Sequence, residues 1–263
     1  MHFAGRLDAA IRDNASMLCV GLDPDPAAGG AATAERECLE LIEATAEYCS
    51  VFKPNIAFFE QFGSAGLAVL ERVRSRIPTT HIALVDAKRG DIGNSAAAYA
   101  RGLFDVVGAD AVTINPLMGG DAVAPFLERP DRGAFIITRT SNPGAADIME
   151  QPLADGRPVY ARIVDLAMGW NTHHNVGLVT GATAPEVIRV VRASAPRMPL
   201  LIPGIGTQGG SLEAAAAAGI DGNARGLVIN VSRAIASAPN RATAARDYRD
   251  RLAAAVEDAR QPR

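Results

Sequence analysis

The sequence predicts an α/β chain folded as one (β/α)8 barrel, the TIM-barrel architecture, in a single domain over residues 1–263. Three observations carry that expectation. Eight short apolar, β-branched runs return along the chain, and amphipathic or alanine-rich stretches fall between them. The repeat is about 30 residues, the length of one strand, one helix and two short loops. Strands alternating with helices imply right-handed βαβ units and a parallel sheet. A doubly wound open sheet is the alternative. No linker or shift in composition divides the chain.

The first run, Met17–Leu22, ends at Asp23. A helical stretch, Thr33–Cys49, follows, in which Leu39, Ile42, Ala46 and Cys49 recur at helical spacing and make Cys49 a packing residue. The second run, Ser50–Ile56, carries Lys53 and Asn55 toward its exit and precedes a helix over Ser64–Arg76. The third, His81–Val85, leads into Asp86-Ala87-Lys88-Arg89-Gly90-Asp91-Ile92-Gly93. Ala111–Ile114 exits at Asn115, and Ala134–Thr138 exits at Thr140 and Ser141. The longest gap, Ser141 to Val176, holds Pro143, Gly144, Pro152 and Gly156 before a helical stretch, and is expected to be a mobile loop on the catalytic face. Val176–Val179 exits at Thr180 and Thr183 before a helix over Ala184–Ala193. Pro199–Ile202 feeds the segment Pro203 to Gly210 and a helix over Ser211–Gly219, with Ser211 as its N-cap. Gly226–Ile229 exits at Asn230 to Arg233, and Ala242 to Arg263 reads as a surface helix with a frayed end.

Composition narrows the class. With 48% apolar and 21% charged residues the chain is globular. A net charge of −3 and 5% aromatics argue against a nucleic-acid binder, and no stretch approaches the length of a membrane span. Cys19, Cys38 and Cys49 are odd in number and lack paired spacing, and Met1 to Arg6 shows no signal segment, so a cytoplasmic location is expected. His81, His173 and His174 have no partner at metal-ligand spacing, so no metal site is expected. No nucleophile elbow and no Walker lysine motif occurs.

In a barrel the strand exits share one mouth, and most exits here deliver a polar group to it. Asp86 and Lys88 are two apart on a strand, face the same way and form an ion pair. Lys53 reaches the same cleft from the neighbouring strand. Asp91 lies beyond, on a glycine-hinged loop, and need not point into the same mouth. Elsewhere in a chain, D-x-K-x-x-D would be a salt bridge beside a turn; at a strand exit, with a lysine on the next strand, it marks a charged cleft. The second cluster satisfies G-x-G-x-x-G with Gly204, Gly206 and Gly209. It follows the seventh strand rather than the first, and Asn230 stands where a ribose-binding acid belongs in a dinucleotide site. A phosphate loop after strand seven, with Arg233 as its cation, fits better.

These segments resemble the orotidine 5'-monophosphate decarboxylase family in its longer bacterial form. The resemblance rests on Val20-Gly21-Leu22-Asp23, Phe52-Lys53-Pro54-Asn55-Ile56-Ala57-Phe58-Phe59, Asp86 to Gly93, Thr140-Ser141-Asn142-Pro143-Gly144, Pro203 to Gly210 and Ser232-Arg233-Ala234-Ile235. It implies a homodimeric barrel that converts orotidylate to uridylate and CO2 with no cofactor and no metal. It implies Lys53, Asp86 and Lys88 as the charged network, with Lys88 the proton donor. Asp91 would enter the partner's active site with Ile92 beside it. Asp23 would hold the ribose hydroxyls and Ser141 the pyrimidine, while Gln208, Arg233 and the glycine loop would grip the phosphate; Pro203 and Ser95 fall among the substrate-binding positions. Two departures are visible: Ser95 replaces a threonine, and Leu117 an aromatic residue. A Mg2+-dependent 3-keto-gulonate 6-phosphate decarboxylase-like enzyme is the alternative in the same superfamily, and a non-catalytic phosphate-ligand binding protein the alternative in another class.

Overall fold

The computed structural model describes residues 1–25, 29–222 and 226–260. Eight parallel strands close a barrel in sequential order: β1 (Leu18–Leu22), β2 (Val51–Pro54), β3 (Ile82–Arg89), β4 (Ala111–Ile114), β5 (Gly133–Arg139), β6 (Val176–Thr180), β7 (Leu200–Ile202) and β8 (Leu227–Val231). The helices are α1 (Phe3–Asp13), α2 (Ala31–Thr45), α3 (Ala57–Glu60), α4 (Gly63–Arg76), α5 (Gly93–Arg101), α6 (Gly120–Leu127), α7 (Ala145–Ile148), α8 (Val159–Trp170), α9 (Pro185–Ser194), α10 (Leu212–Gly219), α11 (Arg233–Ala236) and α12 (Arg241–Arg260). The eight runs read from the sequence are these eight strands, and the open-sheet alternative is excluded by the β1–β8 pairing of Cys19 with Asn230. Among the described residues, no helix is long and apolar enough to cross a membrane.

Two apolar layers hold the barrel. Strand residues alternate between faces. One set, including Leu18, Val20, Leu22, Phe52, Val85, Val112 and Ile136, packs outward against the helices. The other set, Cys19, Val51, Ile82, Leu84, Ala111, Phe135, Leu201 and Val228, fills the lower interior. Helix α1 closes the mouth at the strand N-termini by adding Phe3, Leu7, Ala10 and Ile11 to that inner set. The Phe3 and Ala4 amides donate to the carbonyls of Pro130 (2.7 Å) and His174 (3.2 Å), just ahead of β5 and β6. Phe3 stands edge-on to Phe135 at 6.0 Å. A Cβ at Gly133 would lie 2.4 Å from the Phe3 ring, so this plug needs a glycine at the foot of β5.

Two expectations change. Helix α2 stops at Thr45 and a 3-10 turn, Ala46–Tyr48, follows, so Cys49 is buried in extended backbone rather than on a helix face. The buried stripe of α2 is Ala34, Cys38, Leu41, Ile42 and Thr45, and the tighter turn after it takes Ala46 and Cys49 out of the helix's phase. In the gap from Ser141 to Val176, α8 is the expected helical stretch, and the segment ahead of it, expected to be loop, also contains α7 and a turn closed by the Leu153 amide on the Arg157 carbonyl (2.8 Å). Arg157 braces that turn through Asp155 and Asp165. Ser211 does cap α10, accepting from the Ala214 amide at 3.2 Å. The tail read as a frayed helix is α12 as far as Arg260; its last three residues lie outside the described residues.

A buried carboxylate organises the closed end. Asp110, at the entry to β4, accepts from Arg6 of α1 (2.6 Å), Arg74 of α4 (3.2 Å) and Arg132 ahead of β5 (3.2 Å), and from the Ala83 amide (3.0 Å). Three segments remote in sequence therefore meet on one side chain that is 4% exposed. Asp110→Asn should lower stability by about 3 kcal/mol, the low end for an unpaired buried ion group because the guanidiniums are partly exposed. Urea midpoints check this, and turnover per folded molecule should stay unchanged.

Candidate active site at the strand exits

A cavity of about 300 Å3 opens at the C-terminal ends of the strands, in the size range of small-molecule sites. The register explains who meets whom. Gly21 pairs with Lys53 across β1–β2, Val51 with Ile82 across β2–β3, and Asn55 forms an isolated bridge with Asp86. Lys53 thus starts one inward position below Asp86 and its stem climbs the barrel interior to reach it. Its Nζ lies 3.3 Å from Asp86 Oδ2. Lys88 Nζ lies 2.6 Å from Asp86 Oδ1, and the Thr113 hydroxyl donates to the same oxygen at 2.7 Å. Asp86 is therefore clamped by two ammonium groups and a hydroxyl.

The electrostatics follow from burial. Lys53 is 3% exposed. Desolvation alone would push its ammonium down, but the carboxylates of Asp86 and Asp23 outweigh that and hold it above the ordinary lysine range. Burial would likewise raise Asp86. Lys53 and Lys88, with the hydrogen bonds from Lys88 and Thr113, more than offset it and hold the carboxyl well below the usual range. Cys19, beneath Lys53 in the barrel, stays a thiol, burial pushing it up to about 12.

The opposite wall comes from the later strands. Ser141 Oγ donates to Gln208 Oε1 at 2.7 Å, joining the loop after β5 to the loop after β7. The Gln208 carboxamide then turns its NH2 away from Ser141. Pro203, Gly204, Thr207, Gln208 and Arg233 line this end of the cavity. Gly206 and Gly209 shape the loop from behind: both are left-handed (φ +80° and +86°), and their amides close it onto the carbonyls of Gly210 (3.3 Å) and Gly206 (2.8 Å). At the foot of the site, Ser232 occupies the space that a side chain at Gly21 would need, since a Cβ there would lie 1.7 Å from Ser232 Oγ. Asp23 lines the cavity, and its Oδ1 is a buried acceptor with no hydrogen-bond partner among the described residues.

The structure thus brings together Asp23, Lys53, Asp86, Lys88, Ser141, Pro203, Gly204, Gln208 and Arg233. It leaves Asp91, Ile92 and Ser95 outside this chain's own cavity. Asp91 caps its neighbour, accepting from the Ile92 amide at 2.8 Å, and Ile92 is 58% exposed. Arg89 anchors the departure of this loop, paired with Glu60 of α3 and lying 5.2 Å over the Tyr99 ring of α5.

Several lining residues were not singled out as site residues from the sequence. Thr113, Ile137, Val179 and Leu201 stand at inward positions of β4 to β7, and strand alternation could have found them. A plainer signal went unused. Of the chain's 26 lysine and arginine residues, Lys53 and Lys88 are the two lysines, and all others are arginine. Arginine serves at every other cationic position, so these two stand apart as the ones that take a compact ammonium rather than a forked guanidinium.

The model of the orotidine 5'-phosphate decarboxylase / HUMPS family matches residues 16–248. Orotidine 5'-phosphate decarboxylase of Roseiflexus castenholzii is 46% identical over 97% of this chain and 99% of its own length. That of Thermomicrobium roseum is 44% identical over 89% and 86%. The structure of Leishmania donovani OMP decarboxylase superposes with a TM-score of 0.92 at 41% identity, covering 98% of this chain and all of its own.

The Lys53–Asp86 pair makes its own prediction. Asp86→Asn strands a buried ammonium and should cost about 3–5 kcal/mol. Adding Lys53→Met removes the stranded charge, so the double variant should recover most of that loss in urea unfolding. Strict additivity of the two single losses would contradict the pairing.

Proposed function

The chain belongs to the orotidine 5'-phosphate decarboxylase / HUMPS family, and on that premise we propose that its cavity converts orotidylate to uridylate and CO2 with its own side chains. The observation that carries this reading is the Lys53–Asp86–Lys88 network at the open end of the barrel, with Arg233 and Gln208 on the far wall. A nucleotide has one anionic end and one reactive ring, and the cavity has a matching pair of ends.

The chemistry asks for such groups. When CO2 leaves C6 of the pyrimidine, the bonding pair stays in an sp2 orbital in the ring plane, where the ring π system cannot take it up. A fixed ammonium beside C6 stabilises that pair and then supplies its proton, leaving a neutral amine that regains a proton from solvent. Lys88 is the group in this role: its ammonium is half-exposed at the mouth and tethered by Asp86. Asp86 faces the substrate carboxylate, and the repulsion between them eases as CO2 departs. Lys53 keeps Asp86 ionised while this happens.

The remaining residues bind. Asp23, with its unpartnered Oδ1, accepts from the ribose hydroxyls. Arg233 and the Gln208 NH2 hold the phosphate, and Ser141 contacts the pyrimidine while bracing Gln208. Phosphate contacts remote from C6 supply binding energy that orients the ring. Asp91 and Ile92 project toward a second copy of the chain, in which Asp91 completes the charged row beside Lys88. Ile92, Leu117 and Met118 are all more than half exposed, on two loops that meet where the Asn115 amide donates to the Arg89 carbonyl at 2.7 Å. The Mg2+-dependent alternative is less favoured, because a divalent cation at Asp86 would have to displace both ammonium groups.

Orotidylate given to EDTA-treated protein should yield uridylate at the untreated rate. Lys88→Ala should lose at least about 1000-fold in kcat. Activity abolished by EDTA, or a fully active Lys88→Ala, would overturn the reading.

A further inference from the structure

Lys88 sits in a conformation that a lysine rarely adopts. Its φ is +46°, in the left-handed region where a Cβ crowds the backbone. The cause is a break in the β3–β4 ladder: Val85 pairs with Val112 and Arg89 with Ile114, so three residues of β3 stand opposite Thr113 alone. In that gap the Lys88 amide donates to Thr113 Oγ1 at 3.0 Å. The same hydroxyl donates its proton to Asp86 Oδ1 at 2.7 Å. Thr113 is 1% exposed, so little water competes for either bond.

We propose that Thr113 is a positioning residue for the decarboxylation, its single hydroxyl fixing the Lys88 backbone and the Asp86 carboxylate together; the effect on turnover rests on the function proposed above. The directions of the two bonds are set by what the partners can do. An amide can only donate and an ionised carboxylate can only accept, so the group between them must accept from one and donate to the other. A hydroxyl does this with one atom. A threonine also holds that atom in a narrow range of χ1. The Lys88 side chain then returns to the same Asp86 oxygen at 2.6 Å. The result is a closed ring: Lys88 amide, Thr113 hydroxyl, Asp86 carboxylate, Lys88 ammonium. Closing the ring sets the height of the ammonium above the barrel floor. A free lysine would set that height by rotation about its four-carbon stem. Thr113 lines the cavity beside Asp86 and Lys88, at the opposite end from Arg233 and Gln208, so its loss should touch the chemical step and leave the phosphate grip alone.

Three variants separate this role from a purely structural one. Thr113→Val keeps the shape and removes the hydroxyl. Thr113→Ser and Thr113→Ala both remove the methyl and differ in the hydroxyl. Val and Ala should lower kcat roughly 10- to 100-fold with KM for orotidylate held within about threefold, and Ser should keep most of the activity. A second readout needs no turnover. With two lysines in the chain, [15N]lysine labelling gives two backbone amide signals, and the Lys88 amide should exchange with solvent at least about tenfold faster in the Val variant than in the wild type. If the Val variant does not fold, the Ser–Ala comparison decides by the same two readouts. Val and Ala variants that turn over like Ser, a loss confined to KM, or unchanged Lys88 amide exchange would each overturn the proposal. Should the wild type fail to turn over orotidylate, the functional reading falls, while amide exchange still decides whether Thr113 holds Lys88.

Discussion

A lysine ammonium removed from water must be answered by a carboxylate, and the open end of this barrel is arranged around that requirement. Lys53 starts low in the barrel and is 3% exposed, so its charge survives because Asp86 stands at the end of its stem, with Asp23 in support. Asp86 in turn is buried far enough to need more than one donor, and it takes Lys88 and Thr113 as well. Serving Asp86 from both sides requires β3 to bulge, which places Lys88 in left-handed backbone. One buried cation thus sets the register, the bulge and the placing of a second cation that stands half in solvent.

The two ends of the barrel solve a similar problem with different cations. At the closed end Asp110 gathers Arg6, Arg74 and Arg132, drawn from three separated segments. At the open end Asp86 gathers Lys53 and Lys88. Guanidinium groups stay charged and hold geometry through forked donors, which suits a closure whose task is stability. Ammonium groups are compact and can give up a proton, which suits chemistry. Lysine occurs nowhere else in this chain.

Much of this was legible in the sequence, and the physical reasons for the rest are specific. The strands could be read because apolar β-branched runs end in glycine or polar punctuation, and Asp86 and Lys88 because two residues apart on a strand share a face. The Thr113 bond was hidden because it depends on a bulge, a register shift that single-strand periodicity does not encode. The Asp110 cluster was hidden because its arginines lie up to 104 residues away. Helix α2 was read four residues too long because Cys49 keeps the apolar spacing across a 3-10 turn. The gap after Ser141 suggested a loop by its prolines and glycines, yet those residues frame a short helix and a braced turn.

On the function proposed above, a complete site would combine the Lys53, Asp86 and Lys88 of one chain with the Asp91 of another. The direct measurement is complementation between two inactive variants, Lys53→Ala and Asp91→Ala, mixed under conditions in which subunits exchange. Each hybrid dimer would hold one site with every charged residue intact, so random re-pairing should restore about a quarter of wild-type activity. No recovery, with exchange of subunits demonstrated, would place Asp91 in the service of its own chain and contradict the account.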